Sequence, residues 1–196
     1  MNTTPYKQII EAAIFVAKKP LSLAALCRDV LADEALTRQQ VAAYIAEISA
    51  DYQGKGVELV EVASGYRFQA RSHLAPWLQR MLQDKPAKYS RATLETLALI
   101  AYRQPVSRGD IEAVRGVAVS SQTIHTLEER EWIKVIGRKE VPGRPALYAT
   151  TTQFLDYFGI KSIQELPPLD EALLAKLAAM DEETVLDISG YQAKIF

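Results

Sequence analysis

AAIFVAKKPLS, residues 12–22, returns at residues 97–107 as LALIAYRQPVS, so the chain carries the same small helical unit twice. In each copy an apolar helix runs into a basic or polar exit, then a proline, an aliphatic residue and a serine. Proline cannot continue a helix and disfavours helical geometry at the residue before it, here Lys19 and Gln104. Ser22 and Ser107 are placed to cap a following helix through a side-chain oxygen. Each unit therefore begins helix, stop, helix.

The segments that follow are also parallel. In the first unit Val41, Ile45, Ile48 and Tyr52 fall at helical spacing, which predicts a third helix over residues 37–52. Two strands follow, residues 57–62 and 66–70, with Ser64 and Gly65 at the turn. In the second unit a helix is predicted over residues 120–130 with Ile124 and Leu127 inward, then strands over 133–137 and 146–150 around the loop RKEVPGRP. Three helices and a two-stranded ribbon in that order make a winged helix, a helix-turn-helix variant. The expected fold class is α+β, mostly helical, with tandem winged-helix domains: one over residues 1–84, a linker over 85–90, and a second over 91–169. Residues 170–196 read as a short helix, over 170–180, followed by a disordered acidic tail.

Composition narrows the function. A chain of 196 residues accommodates two such domains. No apolar run approaches the roughly 20 residues that cross a bilayer, and no signal-peptide pattern opens the chain, so a cytoplasmic protein is expected. The single cysteine, Cys27, excludes an internal disulfide and a multi-cysteine metal site, and its apolar neighbours predict a buried structural thiol. His73 and His125 lie in different units without ligand partners in sequence. Phosphate-loop, GxSxG, HExxH and CxxC motifs are all missing. Glu128 and Glu129 diverge by about 100° on a helix and cannot act on one bond. The expectation is a protein that is not an enzyme, with no cofactor and no metal.

Charge bears on DNA, the usual partner of a winged helix. Residues 1–84, 85–150 and 151–196 carry net charges of 0, +4 and −5. The helices in the recognition position are poorly basic: Arg38 stands against Glu47 and Asp51 in one, and Arg130 against Glu128, Glu129 and Glu131 in the other. Phosphate neutralisation supplies most of the affinity for DNA, so neither helix suits groove reading. Lys134, Arg138, Lys139 and Arg144, on the second ribbon, are the candidate DNA contacts, and a winged-helix transcriptional regulator is the alternative function.

A resemblance more specific than the fold is carried by LETLALIAYRQPVSRGDIEAVRGV, residues 94–117, and by IKVIGRKEVPGRPALYATTTQFLDYFGIKSIQELPPL, residues 133–169. Together with AAIFVAKKPLSL, VELVEVASGYRFQA and LAPWLQRML, these resemble the segregation and condensation protein B (ScpB) family of the bacterial SMC–kleisin complex. The resemblance implies a non-enzymatic adaptor in chromosome condensation and segregation, associated with the nucleoid. It also implies a homodimer formed mainly by the N-terminal domain, which binds the central region of the kleisin ScpA and reaches the SMC ATPase through it. The segment VRGVAVSSQTIHTLEEREWI departs from the family pattern, with Glu131 where a glycine is usual.

Adaptor interfaces are enriched in aromatic anchors. The opening helix is apolar over a wide arc, so Ile10, Ile14 and Phe15, with Tyr66 and Phe68 of the first ribbon, form the candidate dimer surface. Tyr102, Arg103, Tyr148, Phe154 and Tyr157 form the candidate kleisin-binding set, as the edge of a groove for a helix. For each of these side chains an ordinary core position is the competing reading.

Overall fold

The structure is a computed structural model, described over residues 5–81, 88–168 and 185–187. Two compact units share the chain, one drawn chiefly from Met1–Asp84 and the other chiefly from Lys85–Tyr157.

The first unit opens with α1 (Tyr6–Val16), whose Ile10 and Ile14, one turn apart, are both buried. After Pro20, the Ser22 hydroxyl accepts the Ala25 N–H at 3.1 Å and starts α2 (Leu23–Ala25), which continues as a π-helical turn, Leu26–Val30. A capping box opens α3 (Arg38–Asp51): the Gln40 N–H donates to Thr37 Oγ1 at 3.2 Å and the Thr37 N–H donates to Gln40 Oε1 at 2.8 Å. Val41, Ile45 and Ile48 of α3 close on α1, at the spacing the sequence predicts. The ribbon is β1 (Val57–Val62) against β2 (Gly65–Ala70), antiparallel, with Val57 opposite Ala70 and Val62 opposite Gly65. A 3₁₀ turn, Ser72–Leu74, leads into α4 (Ala75–Met81).

The second unit repeats this order. Residues 88–90, expected to be linker, instead form a short strand, β3 (Lys88–Ser90). Ser90 then caps α5 (Arg91–Arg103) by accepting the Thr93 N–H at 3.2 Å. A short strand, β4 (Val106–Ser107), precedes α6 (Arg108–Arg115), where Ser107 and Asp110 form the capping box. Gly116 ends α6 in the left-handed conformation, at φ 73°. Next come α7 (Ser121–Glu129), β5 (Ile133–Arg138), β6 (Ala146–Thr150) and α8 (Thr152–Phe158). The last described element is β7 (Val185–Asp187), antiparallel to β3 with Ser90 opposite Val185. These three residues pair as a strand because a partner remote in sequence supplies their backbone hydrogen bonds, which no local reading can foresee. The remaining linker residues, 85–87, and the helix expected over 170–180 lie outside the described residues.

The repeat has a consequence in the sheets. Leu21 exchanges backbone hydrogen bonds with Tyr66 of β2, and Val106 of β4 pairs with Tyr148 of β6. In both units the residue after the proline thus adds a third backbone line beside the ribbon, on the side away from its first strand. The core of the second unit is built from Leu97, Ile100, Ile111, Leu127, Trp132 and Phe154, all buried. Cys27, within the π-helical turn, is half-buried against the first core rather than enclosed.

Candidate protein-docking surfaces

In the first unit the structure divides the candidate dimer residues. Ile10 and Ile14 pack with Leu26, Val41, Ile48 and Leu59 in the core of this unit, and Ile14 also reaches the groove beside Phe15. Phe15 and Val16 lie on the other face and are 61% and 74% exposed. Phe15 meets Phe68 edge-on at 6.1 Å between ring centroids, and Phe68 in turn packs on Tyr52 at 4.8 Å. Beside them runs a groove of about 230 Å³ lined by Ile14, Phe15, Ala17, Pro20, Val57 and Phe68, together with Lys19, Arg67 and Gln69. Tyr66 is half-buried; burial and the Glu61 carboxylate, to which its hydroxyl donates at 3.1 Å, push that hydroxyl above its usual pKa. Val16 shares the wide apolar arc of this helix but stands outside the candidate dimer set, although a helix apolar on two faces must expose one of them.

In the second unit Trp132 and Phe154 are core, and Tyr102, Tyr148 and Tyr157 are half-buried. Phe154 is buried in the core of this unit, with its N–H donating to Thr151 Oγ1 at 3.1 Å. Tyr157 packs on Trp132 at 4.6 Å, and Trp132, itself buried, packs on Tyr89 at 5.2 Å. Tyr148 is half-buried at the centre of its sheet, opposite Val106 on one side and Val135 on the other. Tyr102 is half-buried and donates its hydroxyl to the Pro167 carbonyl at 2.5 Å; burial raises its pKa. Arg103, in the last turn of α5, is exposed. Large aromatics supply most of the buried area of a small domain, which is why the core claims them.

The ribbon cations differ among themselves. Lys139 Nζ stands 2.8 Å from Asp110 Oδ1, and Arg144 pairs with Glu140 at 3.5 Å. The Lys139 ammonium and the Ser107 hydroxyl and N–H together hold the Asp110 carboxyl at about 2. Lys134 and Arg138 make no ion pair among the described residues, and Arg138 Nη1 donates to the Arg144 carbonyl at 3.1 Å. Around them the hairpin exposes Val135, Ile136 and Val141, at 48%, 51% and 42%. The consecutive aliphatics at 135 and 136 break strand alternation, a signal in the sequence that at least one of them must face outward.

No group of His, Cys, Asp or Glu among the described residues is arranged to hold a metal, and no described helix is long and apolar enough to cross a membrane. A polar cleft of about 750 Å³ in the first unit is lined by Lys55, Glu58, Arg71 and His73. Its Arg71 is engaged structurally, with Glu58 at 2.9 Å and the Lys55 carbonyl at 2.9 Å.

A family model described as segregation and condensation complex subunit ScpB matches residues 8–169. A Coxiella burnetii protein named segregation and condensation protein B homolog is 53% identical over 180 residues, covering 91% of this chain and 86% of that protein. The Syntrophotalea carbinolica segregation and condensation protein B is 42% identical over 192 residues, covering 97% of this chain and 94% of that protein. The crystal structure of ScpB from Mycobacterium tuberculosis is 34% identical, with a TM-score of 0.36, covering 79% of this chain and 95% of that one. The chain belongs to the ScpB family of segregation and condensation complex subunits.

Proposed function

We propose that the chain is a non-enzymatic adaptor of the SMC–kleisin complex, built from two winged-helix domains, that dimerises through the first and binds the kleisin ScpA with the second. Membership in a family of complex subunits supports a role in protein association. The element order supports the winged-helix reading, since each unit runs through three helices into an antiparallel ribbon joined by a further backbone line. The observation that carries dimerisation is the exposed pair Phe15 and Val16 beside an apolar groove. Monomers rarely leave such side chains together in water, and aromatic anchors beside a pocket are typical of interface centres. Within the complex the SMC ATPase is reached through the kleisin, and the protein works in the cytoplasm at the nucleoid.

Light scattering after size-exclusion chromatography tests this reading, on the chain alone and mixed with the kleisin of the same cell. A dimer that becomes a larger stable complex is the expected result. A monomer that ignores the kleisin sinks the adaptor reading, and salt-sensitive, sequence-selective binding to duplex DNA would put a transcriptional regulator in its place.

A further inference from the structure

The wing of the second unit offers a surface that neither its core nor its own ion pairs consume. In its sheet, ordered β4–β6–β5, β5 has a neighbour on one side only among the described residues. Of the residues of β5, Ile133 alone is buried, and Val135 and Ile136 stand half in water. Val141, in the loop after the strand, extends this aliphatic surface. Their common exposure on one hairpin leaves apolar area in water that a partner can remove by covering it.

Charge identifies what the cover is made of. Asp110 and Glu140 neutralise Lys139 and Arg144, whereas Lys134 and Arg138, at either end of the aliphatic pair, have no carboxylate among the described residues. An acidic segment complements that arrangement. A DNA backbone does not, because it would trap exposed valine and isoleucine against phosphate with nothing gained from their burial. The corresponding strand of the first unit is closed: Leu59 and Val62 of β1 are buried, and Glu58 and Glu61 are bonded to Arg71 and Tyr66.

The ladder itself fixes how a segment can bind. A register shift between Val135 and Gly137 leaves Ile136 without a partner on β6, and a bulge on an edge strand obstructs the addition of a further strand. The cover must then be held by side chains, which favours a helix over an extended strand. We propose that the β5 face of the second wing is a docking surface for an acidic amphipathic helix of a partner polypeptide, with Val135, Ile136 and Val141 meeting its apolar stripe and Lys134 and Arg138 its carboxylates. The proposal goes beyond the kleisin reading and stands whether or not the kleisin supplies that helix.

The test titrates the full chain, followed by amide NMR, with a synthetic amphipathic helix carrying leucine on one face and glutamate on the other. A copy with lysine for glutamate and a duplex DNA serve as comparisons. The acidic peptide is expected to perturb residues 134–141 first, and Lys134→Glu with Arg138→Glu to weaken it by about tenfold or more. Ile136→Ser, at an exposed position, should weaken it without changing the melting temperature and so separates docking from folding. Equal binding of the lysine peptide, perturbations away from the hairpin, or stronger binding of the DNA at the same residues would each overturn the proposal.

Discussion

Leu21 and Tyr66 exchange two backbone hydrogen bonds, each 2.9 Å, across the point where Gly65 turns the first ribbon. The approach is close enough that a Cβ on Gly65 would lie 2.3 Å from the carbonyl carbon and oxygen of Leu21. Gly65 also sits at φ 144°, where side chains are strained. Gly65→Ala is expected to destabilise the first unit by about 3 kcal/mol, from overpacking and backbone strain together. Gly54, at φ 76° with nothing within 4 Å of its Cβ position, provides the contrast. Gly54→Ala should cost about 1 kcal/mol. Urea unfolding of the two variants measures the difference, and equal costs would refute the close-approach account.

Asp110 joins two elements by closing the capping box of α6 and anchoring the ribbon through Lys139. Its folded pKa of about 2 lies below the ordinary aspartate value of 3.8, so the stability it contributes is present above about pH 4 and is lost as pH falls through about 2. Both partners are substantially exposed, which limits the contribution to about 1 kcal/mol after solvent screening. Asp110→Asn should therefore be less stable than the parent by about that amount at neutral pH. The gap should narrow toward pH 2; a gap independent of pH would show that the carboxylate charge is immaterial.

The Tyr89 hydroxyl is buried without a hydrogen-bond partner among the described residues, while its ring packs on Trp132 and lies 5.6 Å from the Arg130 guanidinium. An unsatisfied buried hydroxyl carries a desolvation cost that phenylalanine does not. Tyr89→Phe is expected to raise stability by about 1 kcal/mol. Thermal unfolding of the variant reads the sign directly, and a loss of stability would reveal a partner for the hydroxyl.

Phe15 and Ile14 are neighbours in sequence with opposite environments. Phe15→Asp should shift the scattering mass from dimer toward monomer while each chain stays folded by circular dichroism. Ile14→Asp buries a carboxylate in the first core and should unfold that unit, a loss of about 3–5 kcal/mol. A dimer that survives Phe15→Asp intact would remove this face of α1 from the interface.

The sequence by itself determined the double unit, because the proline and serine that end one helix and cap the next act through local backbone chemistry, and Ser22 and Ser107 perform that role as the pattern requires. It determined the ribbons and the inward face of α3 for the same reason, since periodicities of 2 and 3.6 are local properties of the chain. Tertiary structure decided which aromatics are core and which are surface. Nothing in AYRQP or TTQFLDYFG separates Tyr102, bonded to the Pro167 carbonyl, from Tyr157, packed on Trp132, because that depends on what lies opposite. The strand at Lys88–Ser90 was hidden similarly: its partner, Val185–Asp187, is remote in sequence, and pairing between distant segments is fixed by the assembled fold and not by either segment alone.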